Sequence, residues 1–308
     1  MAQDAPTSGN FIYDVSGQYR VQIQPLAEGL FRLSFTRGTV LKEPLLNRYR
    51  FLKDDWPLIV TSDEISDAAF QLTAGSQCLV IDRQTGSVSF HGQPGLELSV
   101  TPLEKGFHLS LPLDAQERLF GLGDETRDCI MKRGRKASLW VQNIKCYIPV
   151  PWLLSSRGWA ILVNTTFRHD YDLGAYDPQR VVIQAHDGPC DFYLFFASGF
   201  AGLIDLYTQL SGRPAMLPKF AYGYTFICNE QNDARAMLDD ARLFRQSDIP
   251  CDCIGLEPGW MEKHYDLSIR KNWHPEKFYI PYWIREKVRH HRLTFFGALH
   301  RLGFRLSL

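Results

Sequence analysis

Residues Cys251 to Asp266 read C-D-C-I-G-L-E-P-G-W-M-E-K-H-Y-D, and the interpretation of the fold depends on this stretch. A short apolar run ends on an acid, Glu257, and breaks at Pro258 and Gly259, with Trp260 next. A strand followed by a carboxylate and a turn is typical of parallel α/β folds, whose ligands bind at the carboxyl ends of the strands. A buried strand that leaves through an ordinary Pro-Gly turn explains these residues equally well. The pattern of the surrounding chain distinguishes a ligand site at the strand end from an ordinary strand and turn.

Strands and helices are predicted to alternate around this stretch. The neighbouring segments are a strand at 220–226, helices at 234–244 and 283–302, and a strand at 304–308. Asn232 is the predicted N-cap of the first of these helices, with Asp233 in its first turn. The order strand, helix, strand, helix, strand is the beginning of a parallel sheet with right-handed crossovers. Because a third strand at the end of the chain leaves an open edge, we expect a truncated piece of a longer protein that is poorly soluble alone.

Upstream of residue 199 the dominant pattern is period two, the mark of half-buried strands. The alternations fall at 19–23, 31–35, 70–72, 79–81, 88–90, 96–100, 107–111 and 192–196. Short strands separated by turn signals favour an antiparallel sandwich, and no helical pattern precedes residue 199. Residues 200–210 then show helical spacing and end at Gly212 and Pro214. We therefore predict a β-sandwich domain at 1–198, a linker helix and turn at 199–217, and an α/β domain at 218–308.

Composition excludes several classes of function. The chain has 34 basic and 34 acidic residues, so its charge provides no basis for binding nucleic acid or an anionic membrane. Its start lacks the basic and apolar regions of a signal peptide, and its most apolar window, 147–163, is interrupted by prolines, serines and an arginine. The seven cysteines show no metal-ligand spacing. We expect a cytoplasmic protein with free thiols, no metal and no cofactor.

Three blocks of sequence together resemble glycoside hydrolase family 31, the α-glucosidase and α-xylosidase family. They are Phe120–Arg127 with Gly134–Trp140, Leu217–Tyr224, and Ile249–Met261 with Trp273–Phe278. The resemblance covers nearly the whole chain. It implies an N-terminal antiparallel β-sandwich of the galactose-mutarotase type, followed by the first three strands of a truncated (β/α)8 barrel. It also implies hydrolysis of α-linked sugars with retention of configuration.

The resemblance places the catalytic residues outside this chain. In the family an aspartate nucleophile follows the fourth barrel strand and an acid/base aspartate follows the sixth, whereas this chain ends at the third. Retention requires two carboxyl groups about 5 to 5.5 Å apart. Asp239 and Asp240 are no substitute, because adjacent side chains on a helix diverge and these two are predicted to face solvent. No catalytic residue is assigned, and the 308-residue chain alone is expected to be inactive.

Residues that bind the sugar are the expected contribution of this chain. Glu257 stands where the family has an aspartate that hydrogen-bonds the sugar being cleaved, so we interpret it as substrate-positioning, with altered specificity. A carboxylate suits this role because it offers two strong acceptors to vicinal hydroxyls. Trp260 and Met261 match a Trp-Met pair of the family and either line the sugar site or cap the barrel.

Two further candidates are less specific. Asn143 replaces the aspartate of the family's L-W-N-x-D segment, on a sandwich loop that reaches the active site in the family; a turn residue is the alternative. Tyr224 on the first barrel strand is included as a sugar contact, although a place in the barrel interior is favoured for it and for Phe226. His264, on the loop after Glu257, has no second histidine at ligand spacing, so no metal site is expected there.

The expected partner is a carbohydrate substrate, an α-glucoside, α-xyloside or α-galactoside, and a homo-oligomer of the longer protein is left open. The alternative is a non-catalytic carbohydrate-binding or structural β-sandwich that keeps a remnant of a barrel. An unrelated α/β enzyme requires a nucleophile or cofactor loop, and the sequence contains no GxSxG, P-loop or GxGxxG motif.

Overall fold

A computed structural model describes residues 9–37, 43–92, 95–125, 128–142, 146–228, 233–278 and 294–308. The chain forms two compact units, Met1–Pro214 and Ala215–Leu308. The division falls inside the predicted linker segment, 199–217. Within the described ranges, no helix is long and apolar enough to cross a membrane.

The described part of the first unit is mostly antiparallel β-sheet with few helices. Its strands are β1 (Phe11–Val15), β2 (Tyr19–Ala27), β3 (Leu30–Thr36), β4 (Thr61–Ile65), β5 (Ala69–Ala74), β6 (Gln77–Asp82), β7 (Val88–His91), β8 (Leu96–Pro102), β9 (Phe107–Pro112), β10 (Leu119–Gly121), β11 (Lys136–Leu139), β12 (Trp152–Ser155), β13 (Trp159–Val163), β14 (His169–Leu173), β15 (Arg180–Ala185) and β16 (Cys190–Phe196). Its helices are α1 (Leu45–Arg48) and α2 (Phe200–Ser211).

These strands form two sheets within the described residues. One has the order β1-β2-β3-β16-β13-β12-β10 and the other β11-β14-β15-β9-β8-β7-β6-β5-β4. Every segment predicted from period two lies in a strand, which confirms those predictions. In β8, for example, Leu96, Leu98 and Val100 are buried while the residues between them are exposed, because successive side chains point to opposite faces.

The inner faces of the two sheets share one hydrophobic cluster. Tyr13 of β1 stacks on Phe70 of β5 with ring centroids 4.3 Å apart. Phe90 of β7 contacts Phe31 of β3 at 5.3 Å and Phe196 of β16 at 4.6 Å. Aromatic rings from strands of both sheets therefore fill the space between them.

The other face of the first sheet is covered by α2. Leu203, Leu206 and Leu210 of this helix pack on Trp152 and neighbouring residues. The helix ends at Gly212, whose φ of 98° is readily adopted only by glycine, as the sequence predicted. The one-turn helix α1 was not predicted, since four residues are too few to show a helical period.

A buried ion pair joins the central strands of the first sheet. Asp191 of β16 is fully buried and accepts hydrogen bonds from Arg32 Nη2 at 2.9 Å and from Asn164 Nδ2 at 2.6 Å. Ser34 also donates to it. A buried carboxylate needs such partners, because an unpaired charge away from water is costly.

The described part of the second unit is a small parallel sheet with helices. Its elements are β17 (Thr225–Cys228), α3 (Ala234–Gln246), β18 (Cys253–Leu256), α4 (Phe295–Arg301) and β19 (Arg305–Ser307). The strand order is β17-β18-β19, and both pairings are parallel. Met237 and Ala241 of α3 pack with Ile254 of β18 and Leu299 of α4.

Three boundaries in this unit differ from the prediction. Residues Lys219–Tyr222 form a 3₁₀ turn, and the strand predicted at 220–226 begins only at Thr225. The N-cap of α3 is Asp233, whose carboxylate accepts from Ala236 N at 2.9 Å, whereas Asn232 lies outside the described residues. Of the helix predicted at 283–302, the described part is α4, capped by Thr294.

Candidate functional site

The carboxyl end of β18, the central strand of the second unit, carries Glu257. Its carbonyl oxygen accepts from Trp260 N at 3.2 Å and starts the 3₁₀ turn Pro258–Trp260. Proline suits the first position of such a turn, since its φ is already fixed and an N–H at this position would have no partner within the turn. The side chain is half-buried, and among the described residues its carboxylate has no hydrogen-bond or ion-pair partner.

Alternation along β18 decides which face of the sheet Glu257 occupies. Ile254 and Leu256 pack with the helices, so Gly255 and then Glu257 fall on the opposite face. Gly255 lies beside Ile227 of β17, whose side chain is 51% exposed. A Cβ at Gly255 would come within 2.8 Å of Ile227 Cγ1. Because Gly255 has no side chain, the Ile227 side chain can lie beside it, on the same face as the Glu257 carboxylate.

Trp260 and Met261 are fixed by packing. The Trp260 ring lies 4.6 Å from that of Trp273, which in turn contacts Phe278, Phe295 and Phe296. Met261 is buried and bridges to Trp273. Both residues hold the turn that follows Glu257. A direct sugar contact by either residue stays a prediction.

Tyr224 and Phe226 lie elsewhere. Phe226 contacts Phe244 of α3 with ring centroids 5.2 Å apart, so it lies on the helix-covered face. Its predicted place in the barrel interior is wrong. Tyr224 precedes β17, and its carbonyl accepts from Asp252 N at 3.0 Å just before β18. The structure thus places Tyr224 at the amino end of the sheet and does not bring it together with Glu257.

Asn143 lies outside the described residues, but the segment that follows its loop is held by Asp124. The Asp124 carboxylate accepts from Tyr147 N at 2.9 Å and Ile148 N at 2.8 Å. Its own N–H donates to Ile148 O at 3.1 Å. The sequence interpretation gave Asp124 no role; the signal was a carboxylate directly after the Gly-Leu-Gly turn, where it can accept backbone N–H groups.

Both glycines before Asp124 are required by close backbone contacts. Gly121 and Gly123 have φ of 106° and 66°. A Cβ at Gly121 would lie 2.2 Å from Trp152 O, and one at Gly123 would lie 2.0 Å from Ile148 O. This geometry explains why the block reads Gly-Leu-Gly-Asp.

Two buried groups, the Cys146 thiol and the Lys132 ammonium, contact the Asp124–Glu125 segment. Burial, and then hydrogen bonding to Asp124, raises the pKa of Cys146 to about 12. Lys132 is buried and donates through Nζ to Glu125 O at 2.8 Å and to Cys129 O at 2.6 Å. Burial lowers the pKa of this lysine. Cys146 and Lys132 therefore both contact the Asp124–Glu125 segment directly.

The loop after Met261 provides exposed polar groups. Asp266 Oδ1 accepts from Ser268 N at 2.8 Å, which lowers the pKa of this carboxyl. The rings of His264 and Tyr265 meet edge to face at 4.6 Å. In the part of the chain that the structure describes, no group of three metal-ligating side chains comes together.

Comparison with known proteins identifies the second unit. The sequence model of the glycosyl hydrolases family 31 TIM-barrel domain matches residues 214–296. Over these residues the chain matches glycoside hydrolase family 31, and it is similar to a curated alpha-glucosidase and a curated alpha-xylosidase over most of its length. This confirms the resemblance carried by the three sequence blocks.

The proteins that this chain resembles are distant and longer. It is 23% identical to alpha-glucosidase 2 of Bacillus thermoamyloliquefaciens, covering 83% of this chain and 34% of that protein. It is 22% identical to an alpha-xylosidase of Saccharolobus solfataricus, covering 95% of this chain and 40% of that protein. A Flavobacterium johnsoniae family 31 dextranase complexed with glucose has a similar fold, with a TM-score of 0.77 and 16% identity over 97% of this chain and 37% of the dextranase. The chain thus spans about a third to two fifths of these proteins.

Proposed function

We propose that this chain provides the sugar-positioning part of a retaining α-glycoside hydrolase. The substrates proposed are α-glucosides, α-xylosides or α-galactosides. In this proposal the two antiparallel sheets form a sandwich of the galactose-mutarotase type, and β17, β18 and β19 are the first strands of a (β/α)8 barrel. The family 31 match and the α-glucosidase and α-xylosidase relatives support the reaction class.

The observation that carries the proposal is the position of Glu257. It follows the central parallel strand at its carboxyl end, on the face opposite the described helices. Ligands of parallel α/β folds bind at this end of the strands. A carboxylate there can accept from two neighbouring hydroxyls of one sugar ring. Compared with the family's aspartate, glutamate extends the carboxylate by one more C–C bond of about 1.5 Å, so the preferred sugar should differ.

No acid of the described residues is proposed as nucleophile or acid/base. By the resemblance those aspartates follow the fourth and sixth barrel strands, and the described residues form three parallel strands. We therefore expect the 308-residue chain alone to leave chromogenic α-glycosides intact. A reducing, cytoplasmic setting is part of the proposal, supported by the six free cysteines among the described residues.

The test exchanges Glu257 for aspartate in a protein that joins these residues to the remaining barrel strands of the family. Glu257→Asp should change the ratio of kcat/KM between nitrophenyl α-glucoside, α-xyloside and α-galactoside by about tenfold or more, since a hydrogen bond to a charged group contributes about 1.5–3 kcal/mol. Glu262→Asp is the matched control, because Glu262 is exposed on the same loop. If the two variants share the parent's substrate profile, Glu257 does not position the sugar.

A further inference from the structure

A groove of about 720 Å³ lies on the outer face of the nine-stranded sheet, entirely within the first unit. Its floor is formed by the outward side chains of β9, β11, β14 and β15. The outer face of an antiparallel sheet is ordinarily a solvated polar surface. Three features of this one point to a ligand.

The first feature is a row of hydrogen-bonding side chains across four strands. Ser138 pairs with Asp170, Asp170 with Gln184, and Gln184 with His108. Three strand spacings of about 4.8 Å make this row about 14 Å long. Among the described residues, the side chains of Gln184 and His108 make no hydrogen bond. An amide and an imidazole side by side offer both donors and acceptors, which suits hydroxyl groups.

The second feature is charge pairing within the groove. Lys136 Nζ lies 3.3 Å from Asp172 Oδ2 in the neighbouring strand. Arg180 donates to Ser110 Oγ at 3.0 Å and lies 3.8 Å from Asp177. Each cation of the lining already faces an anion or an acceptor of the protein. The groove therefore matches a neutral, hydroxyl-rich ligand better than a phosphate or a carboxylate.

The third feature is an aromatic ring at the groove, carried by a hydrogen-bonded turn. Tyr176 lines it and is 88% exposed. The turn that carries Tyr176 is held by Asp172 Oδ1, which accepts from Ala175 N at 2.8 Å and from Tyr176 N at 3.2 Å. Because the backbone of this turn is already hydrogen-bonded, binding on the ring does not require the turn to become ordered. Its face can pack against the C–H face of a pyranose ring.

We propose that this groove binds a neutral oligosaccharide, stacked on Tyr176 and hydrogen-bonded by Gln184 and His108. The site is non-catalytic and goes beyond the proposed function, since it lies on the first unit and needs no residue of the second.

The test is titration of the 308-residue chain with maltotriose and with isomaltotriose by isothermal calorimetry. We expect binding that weakens about tenfold in Tyr176→Ala, the equivalent of about 1.4 kcal/mol. Tyr176→Phe keeps the ring and should retain the affinity. Gln184→Ala should weaken binding, whereas its control Gln71→Ala, a half-buried glutamine at an outward position of β5 in the same sheet, should not.

Several outcomes would overturn the proposal. These are no heat of binding with either trisaccharide, equal affinities for all four variants, or binding of inorganic phosphate in place of sugar. Binding that disappears in Glu257→Ala would assign the sugar to the second unit, which would refute the groove and leave the proposed function standing. Loss of affinity in the groove variants with Glu257→Ala unchanged supports the groove alone.

Discussion

Replacing Gly123 with alanine tests the structural reason for the Gly-Leu-Gly-Asp block. The new Cβ would lie 2.0 Å from Ile148 O and 2.7 Å from Val150 N, and Gly123 has a φ of 66°. The matched control is Gly134→Ala, at a φ of 78° with no atom within 4 Å of its Cβ. Both variants are penalised by about 1–2 kcal/mol for a left-handed residue with a side chain. Only Gly123→Ala also displaces a neighbouring segment.

The size of that displacement sets the expected difference. Ile148 has to move by about 1.5 Å for a normal contact, since favourable contacts of a carbon atom begin near 3.5 Å. The movement breaks three hydrogen bonds: the one from Asp124 N to Ile148 O and the two that the Asp124 carboxylate accepts from Tyr147 N and Ile148 N. With about 1 kcal/mol net for the bond to Ile148 O and about 1.5 kcal/mol or more for each bond to the Asp124 carboxylate, Gly123→Ala should be less stable than Gly134→Ala by about 4 kcal/mol or more.

The measurement is urea-induced unfolding of the wild type and both variants, followed by tryptophan fluorescence. Amide hydrogen exchange at Tyr147 and Ile148 should accelerate in Gly123→Ala and stay at the wild-type rate in Gly134→Ala, because only the first variant opens the segment. Equal losses of stability in the two variants, within about 0.5 kcal/mol, would refute the argument that the contact with Ile148 requires glycine.

Two further predictions concern buried ionisable groups of the first unit. Arg32→Met should lower the free energy of unfolding by about 3–5 kcal/mol, because it leaves the Asp191 carboxylate buried without its cation. Adding Asp191→Asn to this variant should recover part of the loss. A loss below about 1 kcal/mol in urea-induced unfolding would contradict the importance of this ion pair. Burial lowers the pKa of His169 from 6.5. As the pH falls, the unfolded chain therefore takes up a proton at this residue before the folded chain does. The contribution of neutral His169 to stability is complete above pH 6.5 and is lost as the pH falls toward the folded-state pKa. His169→Phe should flatten the fall in thermal midpoint between pH 7.5 and pH 5.5, whereas the exposed control His91→Gln should keep it, and identical slopes would argue against His169.

Much of the first unit could be predicted from the alternation of apolar residues. The nine-stranded sheet buries one face, so positions such as Leu79 and Ile81 in β6 show the period directly. The pairing of distant strands, for example β3 with β16, leaves no comparable signal along the chain. Strand existence was therefore predictable, whereas strand order was not.

The second unit shows where local pattern fails. β17 has Phe226 on the helix-covered face and Ile227 on the other, so apolar residues on both faces hide the period. The aromatic run before it resembled a strand, but Pro218 and Gly223 border a 3₁₀ turn there. Asp233 and Asn232 are both good N-caps, and composition alone could not choose between them.

The candidate site was predictable only where one short stretch carries it. Glu257 and the turn after it follow each other in sequence, and the structure places them at the end of a central parallel strand. Asp124 acts on Tyr147 and Ile148, which are 23 and 24 residues away. A contact across such a distance depends on the loop between, and no periodicity records it.

The thiol of Cys146 is a chemical reporter for residues 146–148, which the Asp124 carboxylate holds. It is 1% exposed, and its pKa is about 12. Alkylating reagents react with the thiolate, so this cysteine is protected both by burial and by protonation. Cys129 and Cys78 are more accessible and provide an internal reference in the same sample. The ratio of their labelling rates measures how often residues 146–148 separate from Asp124, without any mutation.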